Sequence, residues 1–354
     1  SYFASYTTNS IGAYYPIVGD GLTYRPDAFN TALTWEKTTT YNAGLDLGFA
    51  NDRFTASIDY YYRKTTDLIN TVTVAAGSNF RNKVTSNVGE LHNQGLEFSL
   101  TYRPIVTKDW RWEVGYNLTY NDNKIDKLVA SDDPNYKILH GGLAVGDSGS
   151  DGIQAWAVGH PVSAYYTYQQ VYDQNGLPIE GEFVDRNGDG IINSNDRYFY
   201  KKADADVLMG FTSKLIYKNW DFSFSLRASL GNYAYNAVDA GNSNVEVERL
   251  YNGSSWHNVP TMVLEKKWNY VSTEDGLSDY FIQNASFLKC DNITVGYSFE
   301  KLFKLPISGR IYATAQNVFT ITKYKGIDPE INGGYDGNIY PRPFTGVLGL
   351  NLNF

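Results

Sequence analysis

The sequence predicts an all-β protein, an antiparallel transmembrane β-barrel with long outer loops, on three observations. Apolar and polar residues alternate with period two along segments of about ten residues, a length that suits a tilted bilayer crossing. The links between these segments are alternately tight and long. Aromatic residues make up 16% of the 354, with 30 Tyr, 18 Phe and 7 Trp. A Tyr ring needs an apolar wall at one end and water at the other, and a barrel offers both at each membrane interface.

The alternation begins at Tyr41, Ala43, Leu45, Leu47 and Phe49, with Asn42, Gly44, Asp46 and Gly48 between them. Asn51-Asp52 then turns the chain into Phe54, Ala56, Ile58, Tyr60 and Tyr62, a hairpin pattern. Leu96, Phe98, Leu100 and Tyr102 follow, and Thr107–Asp109 leads to Trp110, Trp112, Val114, Tyr116, Leu118 and Tyr120. Later strands carry Trp220, Phe222, Phe224, Leu226, Ala228 and Leu230; Ile293, Val295, Tyr297 and Phe299; and Leu348, Leu350, Leu352 and Phe354. The opposite face holds Gly, Ser, Thr, Asp, Glu and Arg, so it meets water. The pattern amounts to roughly ten to twelve strands.

Tight links at Asn51-Asp52, Thr107–Asp109 and Lys218-Asn219 match short periplasmic turns. Ile125–Val162, Tyr172–Tyr200 and Asn232–Ser286 match extracellular loops. A soluble sandwich or propeller has no reason for this asymmetry and would carry a Lys-, Thr- and Glu-rich outer face. No run approaches the ~18 apolar residues of a membrane helix, so a crossing must be made by a closed sheet.

A net charge of −8 argues against nucleic acid, which wants a basic surface. One cysteine, Cys290, excludes a disulfide within the chain. No catalytic triad, phosphate-binding glycine loop or zinc spacing occurs, so no enzyme is expected. Asp204 and Asp206 read as a pair on the wet face.

The sharpest motif is Asp185–Asp196, which fits the calcium-loop template D-x-[DN]-x-[DN]-G. Asp185, Asn187 and Asp189 would supply side-chain oxygens and Gly190 the sharp turn. Ile191 would give its carbonyl, Ile192 would pack inward, Asn193 would bind directly or through water, and Asp196 would take the twelfth place. The expected ion is a structural Ca2+. The same residues would also make an Asx-rich turn without metal. Outside the alternating strands, Trp156, Tyr251, Trp256 and Trp268 are candidate substrate-stacking rings, although large rings more often pack.

The chain resembles the SusC-like TonB-dependent transporters (the SusC/RagA family) of the Bacteroidota outer membrane. The resemblance is carried by Leu33-Thr34-Trp35-Glu36-Lys37, Ser57–Ile69, Asn87-Val88-Gly89-Glu90 and Asn93–Phe98. It continues through Asp185–Asp196, Asp206–Phe211, Ser278–Phe299, Ala315–Thr320 and Gly326–Glu330. It implies that residues 1–354 are the C-terminal half of a barrel of about 22 strands, with the plug and earlier strands supplied by an N-terminal part outside this sequence. It also implies import of oligosaccharides or oligopeptides with a SusD-like lid lipoprotein, energy relayed through TonB, and a terminal Phe354 read by the assembly machinery. A siderophore-type receptor or passive porin is the main alternative, and a soluble carbohydrate-binding β-protein a remoter one.

Overall fold

The computed structural model describes residues 5–8, 24–75, 77–128, 136–143, 152–242, 266, 268, 272–300, 307–337 and 340–353. Phe354 lies outside them. Nine strands form one wall: β1 Lys37–Phe49, β2 Phe54–Thr73, β3 Lys83–Val106, β4 Trp110–Leu128, β5 Val207–Tyr217, β6 Trp220–Leu230, β7 Phe287–Phe299, β8 Ser308–Thr322 and β9 Thr345–Asn353. Each pairs antiparallel with its neighbours in sequence, from β1 to β9. Such a meander follows from hairpin links, since antiparallel strands need only a short turn.

Register carries the predicted alternation across the whole wall. Leu45 lies opposite Ile58, Ile58 opposite Phe98 and Phe98 opposite Leu118. Leu118 faces Met209, Phe211 faces Leu226, and Phe224 faces Ile293. Ile293 faces Ala315, and Ala313 faces Leu348. One face is thus continuously apolar, and it is bare: Leu348 is 86% exposed and Leu350 58%. A soluble protein rarely tolerates an apolar patch of this extent, whereas lipid requires one. Aromatic residues rim the tight-turn end, with Phe49 against Phe54, Trp110 against Tyr217, and Trp220 against Tyr297.

The first tight turn is held by Ala50, Asn51 and Asp52, all at left-handed φ of 54–59°. Asn and Asp tolerate this region better than most residues. Arg53 donates to the carbonyls of Arg103 and Pro104, tying this turn to the next hairpin. The longest strands are β2, β3 and β4, at 20, 24 and 19 residues. Beyond Tyr62 the alternation breaks down: Val72, Val84, Val88 and Ile125 are buried there among polar and charged neighbours. On the former lipid face, Lys64 pairs with Glu90 and His92 with Asp126, which places that stretch outside the hydrocarbon.

Cys290 sits where β7 bulges, paired with Leu226 on one side and Phe319 on the other, and it is buried. Its thiol contacts the Asn292 carbonyl at 3.7 Å. The bulge re-aims Asp291 toward Arg227 on the polar face.

Lipid-facing and polar-facing substitutions should differ sharply. In the full-length protein, Phe224→Arg at mid-strand is expected to cost about 2–4 kcal/mol in denaturant titrations of bilayer-folded protein. Ser225→Arg on the opposite face is expected to change the midpoint little.

Candidate functional site in the loop module

The long links are not loose. They fold into a module of short strands at the end of the wall opposite the tight turns. Tyr198–Lys202, Ala164–Thr167, Gln154–Ala157 and Lys137–His140 form a four-stranded sheet in that spatial order. Gln170–Tyr172 pairs with Pro178–Phe183, and Tyr233–Asn236 lies between Ile282–Asn284 and Tyr335–Asp336. None of these strands exceeds six residues. At that length a period-two signal does not stand out, so the sequence reads as loop.

The module has its own core, in which Ile153, Tyr165, Tyr235, Trp268 and Phe281 are almost fully buried. Tyr165 is held by hydrogen bonds to the carbonyls of Tyr233 and Gly334, and Tyr235 by one to Gly276. Buried phenols of this kind tie three distant links together. Arg197 ties the link between β4 and β5 to itself, donating to the carbonyls of Tyr166 and Gly152.

An ionic cluster joins the module to the polar face of the wall. Glu330, on the link between β8 and β9, accepts from Arg227 of β6 at 2.9 Å and Lys289 of β7 at 2.7 Å, and also from Arg342. Arg227 pairs at the same time with Asp291. Burial acts to raise the Glu330 carboxyl, but the hydrogen bonds from Lys289 and Arg227 outweigh it and hold the group below the usual Glu range.

The metal-type loop precedes Tyr198–Lys202 directly. Asp185 accepts from the backbone N–H groups of Gly188 at 2.6 Å and Gly190 at 2.8 Å. Asn187 accepts from Asp189, and Asp189 from Ile191. Asp196 is buried and accepts from the N–H groups of Arg186 and Asn193. Gly188 and Gly190 take φ of 74° and 80°, as the sharp turns require. The donor set is all oxygen, which suits a hard cation. The amides are turned otherwise: Asn187 donates to Asp189 and Asn193 to the Ile191 carbonyl. Among the described residues, no three His, Cys, Asp or Glu side chains converge as a metal site would. Ile192, expected to pack inward, is 41% exposed, because the loop turns over the module surface.

Of the aromatic candidates, Trp268 is 4% exposed, packs edge-on against Phe281 and donates to the Pro178 carbonyl. It is core, and the expectation of a stacking surface there is corrected. Trp156 is half-buried, donates to the Val162 carbonyl and closes an apolar hollow of about 160 Å³ with Val88, Leu91 and Ile125. Tyr251 and Trp256 lie outside the described residues. Asp204 and Asp206 are separately engaged, by Ser163 and Lys202.

Sequence reasoning missed a row of tyrosines beside the metal-type loop. Tyr198 and Tyr200 stand 5.8 Å apart, and Tyr200 and Tyr233 6.3 Å. Arg186, within the loop, lies 4.3 Å over the Tyr198 ring. The Tyr198 hydroxyl donates to Asp279 at 2.6 Å. Burial raises the Asp279 carboxyl and the Tyr198 phenol. The signal was available in Tyr198-Phe199-Tyr200, three rings in succession after the loop.

With this geometry in place, comparison with known proteins decides the family. The chain is 50% identical over its whole length to TonB-dependent receptor SusC of Bacteroides thetaiotaomicron, covering 36% of that protein. The chain belongs to the SusC-like TonB-dependent receptors of the outer membrane. A family model described as TonB dependent receptor-like, beta-barrel matches residues 1–175. TonB-dependent receptor P3 of Formosa agariphila is 29% identical over 98% of the chain and 37% of the receptor. The structure of the RagAB peptide transporter superposes with a TM-score of 0.75 at 24% identity, over 99% of the chain and 38% of that one, which establishes the shared fold. These relatives are receptors and transporters, not enzymes. The chain spans a little over a third of the length of the relatives it matches.

Two outcomes are expected for the full-length protein. Trp268→Ala should loosen the module by about 3–5 kcal/mol, the usual cost of deleting a buried ring, read as faster limited proteolysis between residues 272 and 285. The Glu330 carboxyl is depressed, so its contribution is present above the ordinary Glu range and lost as pH falls through the lowered value. Protection of the link between β8 and β9 from hydrogen exchange should therefore fall on acidification below that range, and Glu330→Gln should remove this step.

Proposed function

We propose that the protein is an energised outer-membrane importer of oligomeric nutrients, either glycan oligosaccharides or oligopeptides, working with a SusD-like lid lipoprotein. The observation that carries the reading is the nine-strand wall, apolar on one face and polar on the other, in a chain 50% identical throughout to a TonB-dependent receptor. Strands β1 and β9 form the two edges of this sheet, and open edges cannot stand in lipid. They pair with strands from the remainder of the protein, which also supplies the plug and the segment that meets TonB.

In this reading the polar face lines the lumen and the loop module stands over its mouth. Cargo is held between lid and module, and plug movement opens the path. No covalent chemistry is involved. A siderophore receptor or a porin would share the barrel but not the lid.

The loop Asp185–Asp196 binds Ca2+ in the same proposal, through Asp185, Asn187, Asp189, the Ile191 carbonyl, Asn193 and Asp196. The reading is supported by the spacing of these oxygen donors and by the left-handed φ of Gly188 and Gly190. Binding requires the two asparagine amides to rotate so that their oxygens replace their N–H groups. The ion would brace the Tyr198–Lys202 strand that follows.

Full-length protein purified from its native membrane is expected to carry a surface lipoprotein, and cells are expected to take up the cargo only with an intact proton-motive force. Uptake that survives a protonophore would leave a porin instead. Chelation of calcium is expected to expose the bonds around Gly188 to protease, and Asp185→Ala with Asp189→Ala to do so without chelator. Equal cleavage with and without calcium would reject the ion.

A further inference from the structure

Deep in the loop module lies an ion pair that the importer reading does not use. Lys266 donates to the Asp239 carboxylate, and their side chains are only 2% and 4% exposed. Asp239 lies on the short helix Ala237–Asn242, and its N–H donates to the Asn236 side chain. The Lys266 nitrogen stands 4.9 Å from the ring centre of Phe281, 5.1 Å from that of Tyr280 and 5.7 Å from that of Trp268. These faces hold the nitrogen in place and keep water off the pair. A second buried carboxyl stands close by. Asp336 pairs in register with Asn236 and accepts from the Tyr324 hydroxyl at 2.6 Å. Burial, the hydrogen bond to Asp336 and the nearby Asp239 charge all raise the Tyr324 phenol, which places both carboxyls around it.

We propose that Lys266 and Asp239 join in an intramolecular isopeptide bond, with Asp336 relaying the proton. Separated charges are costly to hold away from water, and moving the proton from ammonium to carboxylate leaves a neutral amine beside a neutral acid. The Lys266 nitrogen then attacks Asp239 Cγ, and a C–N bond forms. Asp336 takes a proton from that nitrogen and passes it to the hydroxyl leaving Cγ. One water departs, nothing is oxidised or reduced, and Asp336 ends as it began. The amide is uncharged, so the product removes the cost of the buried ions. It also closes residues 239–266 into a covalent ring, which restricts the unfolded chain as a disulfide does. With Cys290 its only cysteine, the chain cannot make such a ring by disulfide.

The test is peptide mapping by mass spectrometry of the full-length protein, purified from its native membrane and denatured before trypsin digestion. The peptide carrying Asp239 is expected to be joined to the peptide carrying Lys266, and to be lighter than their sum by one water. Fragmentation should place the junction at these two side chains. Asp239→Ala and Lys266→Met should each release separate peptides, and Asp336→Asn should leave most chains unjoined. Recovery of the two wild-type peptides apart, at full mass, would leave a buried ion pair and overturn the bond. That readout needs no variant, so it decides the matter even where a substitution prevents folding. A junction at any other residue would overturn the assignment, and complete joining in Asp336→Asn would overturn the relay. None of these measurements depends on uptake, so a failed cross-link leaves the importer reading standing.

Discussion

Everything in this chain follows from the need to satisfy backbone N–H and C=O groups where no water is available. In hydrocarbon each unpaired group costs several kcal/mol, so a sheet that enters lipid must pair every strand on both sides. The wall from β1 to β9 meets this internally by strict antiparallel order. Side chains then divide by position. Those at Leu45, Ile58 and Leu348 stand exposed on the apolar face, and their exposure is a requirement rather than a defect.

The loop module obeys the opposite rule. It stands in water, so it needs a core of its own, and it builds one from links far apart in sequence. Tyr165 comes from the link between β4 and β5, and Tyr235, Trp268 and Phe281 from the link between β6 and β7. Their hydroxyl and indole groups end on backbone carbonyls, which fixes the links to one another. The Arg227, Lys289 and Glu330 cluster then joins that core to the wall. A charged cluster can serve here because it lies on the polar face, where partial solvation lowers the cost of holding ions.

This division explains what could be read in advance. Strands inside the bilayer have one apolar and one polar face over ten residues, and Tyr41–Phe49 or Trp220–Leu230 show it plainly. The upper halves of β2, β3 and β4 bury apolar side chains such as Val72, Val88 and Ile125 without a strict alternation, so nothing in the pattern separates them from loop. The short strands of the module are too brief for any period, and one of them, Ala164-Tyr165-Tyr166-Thr167, is buried on both faces. Trp268 looked like a ligand platform because a large ring in a long link has no assigned neighbour. The core it joins, with Phe281 and Tyr235, exists only in three dimensions. The loop Asp185–Asp196 was legible in composition and turn geometry, since Asx side chains and glycines at left-handed φ act locally.

The placement of that loop gives it a consequence beyond its own residues. Asp196 is its last position, and Arg197, which locks onto Tyr166 and Gly152, is the next. Tyr198 and Tyr200 follow within the same strand, and Arg186 reaches back over Tyr198. The loop, the arginine anchor and the aromatic row are therefore consecutive in the chain, with Arg197 fixing the start of the strand that carries the rings. Any ligand of the loop would set the position of Tyr200 without touching it. Rings of limited rotational freedom lose little entropy when they meet a ligand, so a braced row favours binding by being ordered beforehand. On this account the long links are structured for the same reason the wall is regular. In both, hydrogen bonds to the backbone fix where the side chains stand.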